Sequence, residues 1–201
     1  MLPFPEISEK LKTLEGEPWQ GILTRYVDFE AYMGPSGGRL LYDEGPPRRG
    51  QRYTPIKGAK GLYLAEGIPT AVAEYTQEGL KALNPKRAAT RLHLDAEVKL
   101  TSILNLGDAA IRRALKTSIE ELKEPWQFVF EMTGIWPVTW QLGDAVFSSG
   151  RFDGIRFPSS KADRHYCHLV FSERLGPDSF VRAKGPTGKW ESLTGKSRLK
   201  A

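Results

Sequence analysis

Apolar residues recur along the chain in two rhythms, one near 3.6 residues and one of two, and these lay out a series of helices and strands. Ile7, Leu11 and Leu14 fall at helical spacing within Phe4 to Leu14, which predicts an amphipathic helix. Trp19 to Val27 reads as a strand ending in the polar-aromatic step Thr24-Arg25-Tyr26. Gly61 to Ala65 is a short apolar strand. Pro69 to Leu83 is a helix, with Pro69 suited to its first turn and Asn84-Pro85 as its stop. Between Arg91 and Leu106, the residues Leu92, Leu94, Ala96, Val98 and Leu100 alternate with polar ones, as a half-buried strand requires. One or two helices are expected between Asp108 and Glu124. The aromatic-rich run Trp126 to Phe147 is broken at Pro137, and its second half forms a helix through Val146. Strands follow at Gly154 to Phe157, Tyr166 to Phe171 and Phe180 to Ala183.

Two stretches follow neither rhythm. Gly34 to Thr54 carries GPSGG and EGPPRRG and reads as a long, mobile loop of the kind that tends to be functional or disordered. Beyond Lys184, KGPTGKWESLTGKSRLKA reads as a flexible basic tail, which divides the chain into a domain over 1–184 and a tail over 185–201. Strands and helices interleave without a regular βαβ rhythm, so the expected class is α+β in a single compact domain. No Gly-x-Gly-x-x-Gly follows a strand and no Walker-type loop precedes a helix; Gly195-Lys196-Ser197 lacks the upstream glycine and the following helix.

At 201 residues and 40% hydrophobic, the chain can bury a substantial core. Its 29 Lys+Arg against 24 Asp+Glu give a net charge of +5, an excess that favours phosphate-bearing ligands without demanding nucleic acid. Cys167 stands alone, which excludes a disulfide framework and a thiolate metal cluster. The N-terminus lacks the pattern of a signal peptide and no apolar run is long enough to span a bilayer, so a cytoplasmic protein without membrane association is expected.

The chemistry concentrates between Gly50 and Glu74. Arg52 and Tyr53 end the irregular loop, Tyr63 lies mid-strand and Glu74 lies in the next helix, so strand and helix packed as a unit can bring Tyr63 and Glu74 to one cleft. A guanidinium presents paired donors to phosphate oxygens, and Arg25, also at a strand end, offers a second. A tyrosine ring can stack on a heteroaromatic cation, and a carboxylate can stabilise positive charge developing on a sugar carbon. His165, Cys167 and His168 form a His-x-Cys-His cluster, but on a strand His168 faces away from the other two, so no metal site is expected.

Four segments in order, Gly-x-Arg-Tyr-Thr-Pro at 50–55, Gly61 to Glu66 with Ala71 to Glu74, Trp140 to Ala145, and Gly154 to Ser160, resemble the RES domain family. The resemblance spans about Leu23 to Phe171. The usual Gly-Gly-Arg-Trp-Asn is here Gly50-Gln51-Arg52-Tyr53-Thr54, which keeps the arginine and an aromatic but loses one glycine and the asparagine. The family's serine matches Ser159, with Ser160 as the alternative.

The resemblance implies an ADP-ribosyltransferase-like fold, a mixed β-sheet with peripheral helices. It also implies a toxin of a bacterial toxin–antitoxin pair that consumes NAD by hydrolysis or phosphorolysis, or transfers ADP-ribose to a protein. NAD is then the substrate and no separate cofactor is needed. Glu74, Arg25 and Tyr63 would be catalytic. Arg25, Arg52, Tyr53, Tyr63, Ser159 and Ser160 would bind NAD, with Arg25 and Arg52 on the pyrophosphate. An antitoxin, of helix-turn-helix type in this family, is the implied partner, and homodimerisation stays open. A rival class is a nucleic-acid-binding module using Arg48, Arg49, Arg52 and Lys57 around Tyr53 together with the tail; the small net charge and the lack of a nucleic-acid fold signature weigh against it.

Overall fold

The computed structural model of the chain describes residues 1–33, 39–81 and 91–195. The elements run α1 (Phe4–Leu11), β1 (Glu17–Asp28), α2 (Phe29–Met33), α3 (Gly45–Arg49), β2 (Leu62–Ala65), α4 (Ile68–Lys81) and β3 (Arg91–Asn105), then α5 (Ala109–Ala114), α6 (Ile119–Lys123), α7 (Trp126–Thr133), α8 (Val138–Ser149), β4 (Gly154–Pro158), β5 (Tyr166–Val170), β6 (Phe180–Lys184) and β7 (Trp190–Thr194). The α+β class with a mixed sheet and peripheral helices is therefore the observed fold. The expected helix stop at Asn84-Pro85, residues 34–38 of the glycine-rich stretch and residues 196–201 of the tail lie outside the described residues.

The strands order as β1-β2-β5-β4-β3-β6-β7, and β1 also pairs along its length with β3, so the sheet curves back on itself. β3 and β4 pair in parallel, and the remaining pairs are antiparallel. Alternation along each strand then creates two cores. Leu23, Leu62, Leu64, Leu94, Ala96, Val98 and Val170 fill the inner face of the curve together with Leu40 and Leu41. On the outer face Ala65, Ile155, Phe157, Cys167 and Leu169 pack against Ile7 and Leu11 of α1, Ala71 of α4, Leu122 of α6, and Leu142, Ala145 and Val146 of α8. The buried Asp153 carboxylate ties the start of β4 to its neighbours, accepting from the Thr101, Ser102 and Gly176 amides at 2.7–3.0 Å and from Ser179 Oγ at 2.7 Å.

Two expectations need correction. The stretch before Thr54 is not simply a mobile loop: Leu40, Leu41, Tyr53 and Thr54 are buried, Pro46 sits in the first turn of α3, and Gln51 and Thr54 bond each other as a tight turn. Nor is the segment after Lys184 a frayed tail throughout. Trp190–Thr194 is an edge strand on β6, and Glu191 accepts the Leu40 and Leu41 amides at 2.7 and 3.1 Å. Among the described residues, no helix is long and apolar enough to cross a membrane.

Candidate functional site

Glu74 and Ser159 are 85 residues apart in sequence and meet in space. Gly67, at φ 89°, lets the chain turn sharply from β2 into α4, which carries Glu74 on its second turn. Ser159 follows β4 directly, and its amide donates to the His165 carbonyl at 2.8 Å, closing the turn. Ser159 is fully buried; its Oγ donates to Glu74 Oε1 at 2.5 Å and accepts from the Lys161 and Ala162 amides at 3.1 and 3.0 Å. The Ser160 amide donates to the same Oε1 at 3.1 Å, and Cys167 Sγ lies 4.0 Å from it. Burial and the nearby Glu74 carboxylate push the Cys167 thiol well up, so it stays protonated and acts as a weak donor. One carboxylate oxygen is thus held by a hydroxyl and an amide, while Oε2 accepts no hydrogen bond among the described residues.

Arg52 enters from the Gln51–Thr54 turn. Its Nη1 donates to the Leu122 and Glu124 carbonyls, both at 2.9 Å, and its Nη2 to Ser160 Oγ at 2.9 Å. Among the described residues three of the five guanidinium donors are engaged, and Nε with one Nη2 hydrogen has no partner there. The turn is braced from below by the half-buried Tyr63, whose hydroxyl accepts from the Tyr53 amide at 2.9 Å and shares a hydrogen bond with Thr54 Oγ1 at 3.0 Å. It is braced from above by α8, where Trp140 Nε1 donates to the Gln51 carbonyl at 2.7 Å. Gly143 lets the helix close: a Cβ there would stand 1.8 Å from the Tyr53 carbonyl oxygen.

A model of the RES domain family matches residues 23–190 of the chain. The protein belongs to the RES domain family. Among solved structures, a chain of the M. tuberculosis MbcT–MbcA toxin–antitoxin complex superposes on it with a TM-score of 0.61 at 16% sequence identity, covering 94% of this chain and 92% of that one, which is a likeness of fold.

Four of the expected site residues of this RES domain come together: Glu74, Ser159, Ser160 and Arg52, with Tyr63 beneath the turn. Two do not. Tyr53 is fully buried with its ring 4.6 Å from that of Phe157, so it is a core residue and not a ligand-facing one; α8 presses it inward. Arg25 points to the other face of the sheet, where its cross-strand partner Leu94 and its neighbours Leu23 and Val27 belong to the inner core. Its Nη1 donates to the Tyr42 carbonyl at 3.3 Å. Burial lowers its pKa to about 10 against the pull of Glu191 and Asp43, so it remains charged at neutral pH. A phosphate clamp formed jointly by Arg25 and Arg52 is not what this arrangement presents.

Sequence reasoning assigned no role to a second polar cluster on the inner face. Glu66 accepts from Arg156 Nε and Nη2 at 2.6 and 3.2 Å and bonds His168 Nε2 at 2.8 Å; Arg156 stacks 3.7 Å over the Tyr166 ring, and Trp19 lies against His168 with centroids 4.5 Å apart. Glu66 and Arg156 stand in the matched motifs, so their pairing was the signal available. Burial alone raises the Glu66 pKa, but hydrogen bonds from His168 and Arg156 and the Arg156 charge outweigh it and hold the carboxyl at about 2. Burial lowers the His168 pKa, and its Nδ1 has no partner among the described residues, as the neutral Nε2–H tautomer allows.

Both folded values lie below the unfolded ones, so on acidification the unfolded chain takes up protons first and stability falls. Thermal melting should drop as pH passes below the ordinary histidine value of 6.5, then further from 4.5 towards 2 as Glu66 loses its advantage. Glu66→Gln should flatten the lower limb in a melting series; an unchanged limb would overturn the assignment.

Among the described residues, no group of three or more His, Cys, Asp or Glu side chains is placed to hold a metal ion. His165 instead bonds Thr70 Oγ1 through Nδ1 at 2.8 Å. A groove of about 600 Å³ between α1 and α5, lined in part by Leu2, Pro5, Glu9 and Ala114, contains none of the site residues.

Proposed function

We propose that this RES domain is the toxin of a toxin–antitoxin pair and that it cleaves the nicotinamide–ribose bond of NAD at Glu74. The observation that carries the reading is the fixed Glu74 carboxylate, oriented through Oε1 by Ser159 Oγ and the Ser160 amide, with Arg52 bonded to the same loop. Oε2 would face the nicotinamide ribose, binding its hydroxyls and stabilising the positive charge that develops as the bond from C1′ to nitrogen breaks. Nicotinamide departs with the electron pair as a neutral molecule, so no strong general acid is required. Water or phosphate then bonds C1′ and gives up a proton to solvent. Arg52 supplies donors to the pyrophosphate, Tyr63 an aromatic ring to nicotinamide, and Ser159 acts on the substrate through Glu74.

The test is to incubate the purified protein with NAD, with and without phosphate and with a candidate acceptor protein, and to follow free nicotinamide and the ribosyl product. Nicotinamide release supports the reading, and the product identifies water, phosphate or protein as acceptor. Folded protein that releases none overturns it. Arg52→Lys keeps a charge but not the planar fork, so kcat/KM for NAD is expected to fall about tenfold, mostly through KM. Unchanged steady-state kinetics would remove Arg52 from the pyrophosphate.

A further inference from the structure

α7 and the turn after it expose an apolar surface that the fold does not use. Trp126 and Phe130 stack on Trp140 of α8 with centroids at 5.5 and 4.6 Å, yet no residue of α7 is fully buried. On the outward side Phe128 is 61% exposed, Met132 68% and Ile135 66%, with Trp136 beside them at 42%. Phe128 and Met132 are four residues apart on one helix and form a ridge. Four large apolar side chains exposed within nine residues of chain are the kind of surface that marks an interaction site on soluble proteins. Aromatic and methionine side chains are also those enriched where partners bind.

The charge around this surface selects the occupant. Between Ile119 and Trp136 the exposed charged side chains are Glu120, Glu124 and Glu131, and the one lysine of that stretch, Lys123, is bonded to Asp163 at 3.0 Å. The segment is therefore acidic within a chain of net charge +5. Nucleic acid and an anionic membrane surface are both repelled by such a rim. A second copy meeting the first through the same patch about a two-fold axis would set acid against acid. We infer that α7 and its following turn dock a different protein, through an apolar segment of that partner flanked by lysine or arginine.

The position gives the contact a consequence. Arg52 is anchored by the Leu122 and Glu124 carbonyls, at the junction of α6 and α7, so a partner seated on α7 presses on the backbone that holds Arg52. That consequence rests on the NAD-cleaving reading, whereas the surface itself does not. The partner is then an inhibitor acting beside the site as well as a ligand of the surface.

The probe is the protein encoded by the gene next to this one, titrated against the wild-type chain and against Phe128→Ser/Met132→Ser by calorimetry, with each chain also run alone by analytical ultracentrifugation. Both positions are solvent-facing, so the double variant should fold and release nicotinamide as the wild type does, which keeps this outcome separate from failure of the NAD reading. Wild-type binding weakened at least tenfold in the double variant, with loss of inhibition in parallel, is expected. Failure of the neighbour to bind the wild type, equal binding to both chains, or a wild-type dimer that the double variant dissolves would each overturn the assignment.

Discussion

Glu74→Gln is expected to lower the turnover of NAD by roughly 10²–10³-fold while the protein melts and binds as before. The substitution is nearly isosteric, and a glutamine oxygen can still accept from Ser159 Oγ and the Ser160 amide, so the turn after β4 keeps its anchor. What disappears is the negative charge. If the transition state carries positive charge on the ribose, that loss falls on kcat, because ground-state NAD already bears its charge on the nicotinamide ring and would be held elsewhere by Arg52 in the proposed mechanism. A fall in kcat with little change in KM is therefore the signature. Retention of full nicotinamide release by a folded variant would show that the chemistry lies at another group.

Much of this site was legible because its residues sit in short motifs whose local structure is strongly coded. A short apolar strand, a glycine at positive φ and a helix opened by proline bring Glu74 to the end of the sheet, and the Gly-x-x-x-Pro-Ser segment ends β4 where Ser159 must turn. The choice between the two serines could not be made from sequence, since adjacent residues satisfy the same pattern. In the structure Ser159 reaches Glu74 with its side chain and Ser160 with its backbone amide, while the Ser160 hydroxyl accepts from Arg52.

Arg25 lies apart from the other expected residues for a different reason. A strand's alternation states which residues share a face but not which face carries Glu74, and the pairing of Arg25 with Leu94 puts Arg25 on the inner face only once β1 and β3 are joined. Strand β7 escaped because one of its two inward residues is Glu191, an acid that serves two backbone amides, which leaves Leu193 as its single inward apolar side chain. Period-two reading registers apolar side chains, so a strand held by carboxylate-to-amide bonds reads as a tail. Glycine and proline mark turns in the 39–54 stretch but say nothing of burial, and Tyr53 and Thr54 are buried there through contacts made with α8 and β2.

The glycine of the Gln141-Leu142-Gly143-Asp144 segment carries the other large effect. Gly143→Ala is expected to destabilise the protein by about 3 kcal/mol and to lower NAD cleavage well beyond the change in folded fraction. An added Cβ would stand 1.8 Å from the Tyr53 carbonyl oxygen and 2.7 Å from the carbonyl carbon, so one backbone must move by more than an ångström-scale adjustment of a side chain could supply. Neither side can yield easily. α8 is pinned by buried Trp140, Leu142, Ala145 and Val146, and the turn by the Tyr63 hydroxyl, the Thr54–Gln51 bonds and the Trp140 indole. Because Arg52 precedes Tyr53 directly, relief of the clash displaces the guanidinium from Ser160 and so disturbs the loop that orients Glu74. Denaturant unfolding beside NAD kinetics at a temperature where the variant is fully folded would separate the two effects. A variant as stable and as active as the wild type would show that α8 does not seat the turn.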